Sequence, residues 1–157
     1  MAGAPTTTAL ARRFAVDVDT AWPSGPPVWA RLYGMTDFKP MVKPTNKATS
    51  DYETEGNAGN QKVMQETSVE VTYLRKLDAA GAPMDAHEAI RKAVPLFDDD
   101  GTVHLRWYDR TGAPEAYEFY GIPAAEPAAT GVEDLDGLKV SFADVGRGAI
   151  PITNPIA

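Results

Sequence analysis

The sequence predicts a mainly β domain, an antiparallel sandwich or barrel-like sheet with one flanking α-helix and one long extended loop. Three observations lead there. Apolar and polar residues alternate in six or seven short segments, the period of a half-buried strand. Clusters of Gly, Pro, Asn and Asp punctuate those segments. Only residues 85–94 place apolar side chains at helical spacing.

Residues 1–12, small and polar with Pro5 and three consecutive threonines, read as a flexible N-terminal arm. A β-sandwich domain follows over 13–145, and residues 146–157 read as a C-terminal arm. In the first strand Phe14, Val16 and Val18 share one face, with Asp17 and Asp19 on the other. A turn-rich break, WPSGPP, precedes the segment Val28–Met35, where Val28, Ala30 and Leu32 alternate against Trp29, Arg31 and Tyr33. Residues 36–62 show neither period and read as a loop of 27 residues, a length that usually signals function in a small domain. The strand Val63–Leu77 comes next, with Val69, Val71 and Tyr73 on its apolar face and Glu66, Ser68, Glu70 and Thr72 on its polar face.

The helix 85–94 opens an apolar stripe of Ala86, Ala89, Ile90, Ala93, Val94 and Phe97. Asp85 and Glu88 have the spacing of a capping box, Arg91 and Lys92 suit the last turn, and Pro95 limits extension. Segments 102–109 and 115–122 read as a hairpin, and the Pro/Ala-rich stretch 123–136 as a connection. A strand at 138–144 follows, and the chain closes on Ile150, Ile152 and Ile156 among small residues and prolines.

Composition excludes several functions. With 157 residues the chain forms one domain. The absence of Cys removes disulfides, thiolate metal sites and cysteine nucleophiles, and two histidines are too few for a three-His metal centre. A net charge of −7 argues against tight nucleic-acid binding, which requires a basic patch to displace counterions. No apolar run approaches the ~18 residues of a membrane span, so no membrane insertion is expected. The Arg pair at 12–13 follows the small residues instead of preceding an apolar stretch, so no secretory leader is read and synthesis in a cytoplasm is expected.

His87 and His104 lack any ligand or catalytic spacing and read as ordinary surface or half-buried residues. Asp98, Asp99, Asp100 and Gly101 invite a calcium loop, but Val103 falls where the EF-hand register needs glycine, so they read as a solvated turn. Gly146-Arg147-Gly148 lacks the Lys-Ser/Thr pair of a phosphate cradle. Tyr33, Tyr73, Trp107, Tyr108, Tyr117, Phe119 and Tyr120 fall in expected strands, where aromatics pack. No nucleophile–base pair is present, so the expectation is a protein that is not an enzyme and carries no metal or cofactor.

Spaced blocks along most of the chain resemble one family. Gly34-Met35-Thr36-Asp37-Phe38-Lys39-Pro40, then Asp51-Tyr52-Glu53-Thr54-Glu55-Gly56, are similar to the G-[LM]-T-x-F-x-P … D-Y-D-S-E-G pattern of major tail tube proteins of long, flexible-tailed (siphovirus-type) phages of actinobacteria. Tyr117–Gly121, Thr130–Leu135 and Ile152–Pro155 resemble the family's ending. The chain departs from the pattern at Glu53, commonly Asp, and at Asn57, where an aromatic often follows the glycine.

The resemblance implies a structural virion subunit that stacks as hexameric rings into a tail tube, the conduit for DNA ejection. It implies that the loop 36–62 reaches the next ring, with Phe38, Asp51, Tyr52, Glu53, Glu55 and Gly56 as contacts, and that terminal arms, including Ile152, Asn154 and Pro155, tie subunits together. Glu66, Ser68, Glu70 and Thr72 are the candidates for a polar, acidic lumen wall that repels DNA, and any lumen-facing Lys or Arg would have to be paired. Implied partners are further copies of the chain, a tape measure protein inside the tube, and tail terminator and distal tail or baseplate proteins at its ends, with DNA passing without specific binding. The alternatives are a contractile-type or secretion-system tube protein, or a small virion-surface sugar-binding β-sandwich.

Overall fold

In the computed structural model, eight strands and one helix follow in the order β1 (Phe14–Asp19), β2 (Trp29–Arg31), β3 (Met35–Ala48), β4 (Asn60–Leu74), α1 (Asp85–Ala93), β5 (Val103–Asp109), β6 (Ala116–Ala129), β7 (Gly137–Asp144) and β8 (Ile150–Pro151). The structure describes residues 13–50, 53, 55–129, 131–132 and 134–156. The N-terminal arm 1–12, Asp51, Tyr52, Thr54, Thr130 and Glu133 lie outside the described residues. The strands form one antiparallel sheet ordered β2-β1-β5-β6-β7-β4-β3, with β8 paired to β6.

The two ends of that order are consecutive in sequence. Only Leu32, Tyr33 and Gly34 separate β2 from β3, so the sheet must roll until its edges meet. The link is bonded to both sides of the gap: Leu32 N–H donates to Val16 O of β1, and Leu74 N–H of β4 donates to Gly34 O. Gly34 has φ +79°, and a Cβ there would lie 2.4 Å from Leu74 O. Rings cross the interior of the roll, Phe14 and Trp107 lying 6.0 and 5.7 Å from Phe38. Val16, Val18, Val69, Val71, Tyr73, Leu105, Phe119, Val140 and Phe142 fill the core around them. Full burial of each such side chain contributes about 1.5–3 kcal/mol.

Helix α1 adds Ala86, Ile90 and Ala93 to the core. His87, expected at the surface or half-buried, is only 3% exposed. Its Nε2 lies 3.1 Å from Tyr33 O, Lys76 N–H donates to its Nδ1, and the ring stacks on Tyr73 at 4.7 Å. It fastens the helix to the link that closes the sheet. The expected capping box does not form: Met84 is the N-cap, and Glu88 instead holds Arg91 through two bonds of 2.9 and 2.7 Å. A guanidinium one turn away offers Glu88 a charge-assisted bidentate partner, stronger than the single backbone N–H of the box.

Three further expectations change. Residues 36–62 are not an irregular loop: most of them belong to β3 and β4, which pair from Met35↔Tyr73 to Ala48↔Asn60. Residues 41–48 and 60–66 are exposed on both faces, so no burial imposed an alternating pattern. Tyr33 lies in the closing link, not a strand, because the chain must leave β2 there to reach the far edge. The stretch 123–129, expected as a connection, continues β6 along β7.

Prolines are tolerated in these strands for one reason. Thr49 N–H donates to Gly59 O, so the odd residues of this part of β3 face β4 and Pro40 and Pro44 face the free edge. Asp109 N–H donates to Glu115 O, so the odd residues of β6 face the β5 side, and Pro123 and Pro127 lie beyond the last β5 pair, Val103↔Gly121. Four missing N–H groups therefore fall where no ladder bond is lost, and they blunt both open edges.

Gly34→Ala is expected to cost at least about 2 kcal/mol, since the left-handed backbone alone costs ~1–2 and the new methyl meets a backbone oxygen; urea unfolding measures it. Burial, the largest cause, holds the His87 imidazole below its ordinary value of 6.5. The unfolded chain therefore takes up the proton first, and the His87 contribution, full above pH 6.5, is lost as pH falls toward the lowered folded value. Urea midpoints between pH 7 and 5 should fall more steeply for the wild type than for His87→Gln.

Candidate functional site

The rolled sheet has two outward faces. One, on β1, β5 and β6, is covered. Here His104 lies between Asp19 (2.9 Å) and Glu118 (2.7 Å) and stacks on Tyr120 at 4.3 Å, with Trp22 and Trp29 edge-on. Carboxylate oxygens stand at both ring nitrogens, so each polar edge of the imidazole is occupied by a side chain of its own chain. Beside it Arg106 pairs with Asp17 at 2.9 Å and lies over the Trp29 ring.

Asp17 and Asp19, expected on a wet strand face, are each 5% exposed, and His104, expected at the surface or half-buried, is 3% exposed. Two local segments cover them. Asp19 Oδ1 accepts from the Ala21 and Val28 amides, which draws the 20–28 turn over the strands. Burial pushes the Asp19 carboxyl up, but His104 and those two amides more than offset it, and the group sits below its ordinary value.

The C-terminal segment covers the other end of this face. β8 pairs with Tyr117 and Glu118, and Ile152 packs on Ala15, Tyr108 and Ala116. Asn154 is buried, and its Nδ2 donates to Asp109 O (2.9 Å) and Ala113 O (2.6 Å). Thus Ile152 and Asn154 of the expected inter-subunit arm bond within their own chain, while Pro155 is exposed.

The other face, on β3, β4, β7 and the second half of β6, is open. Val69, Val71 and Tyr73 bury inward, which turns Ser68, Glu70 and Thr72 outward together with the exposed Glu66. The register adds side chains that a single strand could not reveal. Lys43 stands across from Glu66, Lys39 across from Glu70, and Ser141 and Lys139 across from Glu70 and Thr72. Lys139 Nζ lies 3.4 Å from Glu70 and 3.8 Å from Glu126. The face expected to be acidic is a mixed-charge lattice, because each glutamate of β4 lies opposite a lysine of a neighbouring strand.

Beyond this face β3 and β4 continue as a two-stranded shaft. The seven residues 60–66 carry it roughly 23 Å at the usual strand rise. At its tip Glu55 and Gly56 take left-handed backbone (φ +53° and +82°), and Glu53 is exposed. Phe38, grouped by sequence with the tip, is half-buried and packs against the chain's own core beside Phe14 and Trp107.

No family model matches the chain, and no curated protein is significantly similar to it in sequence. Solved structures do share its architecture. A chain in the virion of a native gene transfer agent particle matches with a TM-score of 0.68 at 7% identity, over 90% of this chain and 98% of that one. A chain in the tail of the empty particle, refined with helical and C6 symmetry, matches at 0.67 and 10% identity, over 88% and 96%. A chain of the SPP1 tail tube matches at 0.66 and 14% identity, over 94% and 81%. The chain has the fold found in a tail tube. At these identities the likeness is one of fold, extending over nearly the full length of the chain.

Asn154→Ala should destabilise the domain by about 1–3 kcal/mol, because one buried and one half-buried carbonyl lose their donor. Hydrogen exchange at Ile152 N–H, which bonds Ala116 O, should accelerate in the variant.

Proposed function

We propose that this chain is a tail-tube subunit of a long, flexible-tailed phage of actinobacteria, stacking as sixfold rings into the conduit for DNA ejection. One observation carries the reading: an uncovered, water-facing sheet is continuous with a shaft that has no core of its own. A shaft exposed on both faces gains its compensation for ordering, about 1–2 kcal/mol per residue, from another surface. Copies of the same chain supply that surface in a tube. The likeness to chains of a tail and of a tail tube supports the same reading, as do the sequence blocks around Gly34–Pro40 and Glu53–Gly56.

The open face carrying Glu66, Ser68, Glu70 and Thr72 is the proposed channel wall, since the opposite face is occupied by its own turn and tail. Passage is then passive. Lys139 is held by Glu70 and Glu126, and a phosphate meets compensated charge whose field is screened within ~8 Å at physiological salt. A tape measure protein would occupy the bore during assembly, with terminator and distal tail or baseplate proteins at the ends.

Negative-stain microscopy of the concentrated protein, with and without tail-initiator proteins, should show hollow sixfold rings or tubes; a strictly monomeric chain at millimolar concentration would refute the reading. Replacing Glu66 and Glu70 by Lys should leave folding nearly intact and slow DNA passage, most at low salt. Wild-type ejection rates at every ionic strength would place these residues away from the channel.

A further inference from the structure

The shaft and the β6–β7 connection lie at opposite ends of one sheet. Along β4, Ser68 is level with Ala143 of β7, and Leu74 is level with Gly137. The shaft therefore leaves past the Ala143 end, and residues 134–136 enter β7 at the Gly137 end. Both surfaces expose large apolar side chains. Met64 is 68% and Val42 55% exposed on the shaft, and Leu135 is 70% exposed and Val132 fully so on the connection. Their charges are opposite. Shaft residues 41–48 and 60–66 hold Lys43, Lys47 and Lys62 against Glu66 alone, whereas the sequence 130–136 holds Glu133, Asp134 and Asp136, of which Asp136 is paired with Arg75 at 3.4 Å.

From this we infer that the shaft of one copy docks on the 130–136 connection of the next copy, head to tail, with Met64 beside Val132 and Leu135 and the lysines toward the acidic rim. The inference rests on the tail-tube reading and names the receiving surface within it. Two surfaces at opposite ends of one subunit cannot meet within that subunit. A contact between different patches is heterologous, and its repetition extends a stack without closing it. Apolar burial supplies the adhesion, while charge fixes which end meets which, since like ends would bring lysines to lysines or carboxylates to carboxylates.

The geometry also selects between candidate receivers. Leu96 and Phe97, the latter 84% exposed beside Asp98–Asp100, form another apolar and acidic knuckle. They precede Val103, which pairs with Gly121, itself paired with Asp144 of β7. That knuckle lies at the end from which the shaft departs, so head-to-tail stacking carries the shaft away from it.

The chain has no cysteine, which makes disulfide trapping clean. A Met64→Cys/Leu135→Cys variant, assembled and then oxidised, should give ladders of linked copies on denaturing gels, and either single variant should stop at dimers. A K43E/K47E/K62E variant, folded by circular dichroism, should need about tenfold more protein to form tubes, the fold-change of a ~1.4 kcal/mol loss. Wild-type tube growth by the triple variant would overturn the docking while leaving the tube reading intact. So would tubes that link Met64→Cys/Phe97→Cys but not Met64→Cys/Leu135→Cys. A wild-type chain that forms no rings or tubes would overturn the tail-tube reading, and this contact with it.

Discussion

Closure of the sheet through residues 32–34 is the constraint on which the rest of this structure depends. A strand at each end of an eight-stranded sheet is joined to the other by three residues, so the sheet has to roll. Rolling creates a single interior, in which rings from β1, β3 and β5 meet. It also leaves two outward faces of different character. Gly34 permits the join because its backbone turns left-handed against the Leu74 carbonyl. His87 then holds the helix to the same join by accepting from one side of it and donating to the other.

From closure follows the division of labour between the faces. On one side the 20–28 turn and the C-terminal segment lie over β1, β5 and β6, so Asp17, Asp19 and His104 are buried and must find partners among themselves and with Arg106 and Glu118. A buried unpaired carboxylate would cost several kcal/mol, and the mutual pairing explains how so polar a layer persists. On the other side none of the described residues covers β3, β4 and β7. Charge there is compensated by alternation between strands in contact with water, where such pairs contribute little to stability, about 0–1 kcal/mol each. Their consequence is a surface without a concentrated field of either sign.

The open edges reflect the same economy. β3 and the second half of β6 would each present a row of donors and acceptors to any passing strand. Prolines at 40, 44, 123 and 127 remove alternate outward donors without breaking a bond inside the sheet. Association through side-chain faces and through the ends of the sheet is thereby favoured over indiscriminate edge pairing.

The β class, the helix near residues 85–94 and the two faces of β4 are legible in the residues alone, because each follows from a periodicity set by burial of one side. Val69, Val71 and Tyr73 could be separated from Glu66, Ser68, Glu70 and Thr72 on that ground alone. Periodicity was silent for residues 41–48 and 60–62, where both faces are wet, and for 123–129, where proline and alanine disguise a strand. Only the tertiary structure decided what lies across from what. It placed Lys139 beside Glu70, enclosed His104 between carboxylates from two other strands, and turned Phe38 against the core. Such neighbours are set by strand register and by the roll of the sheet, which join residues many tens of positions apart. No local pattern carries that information.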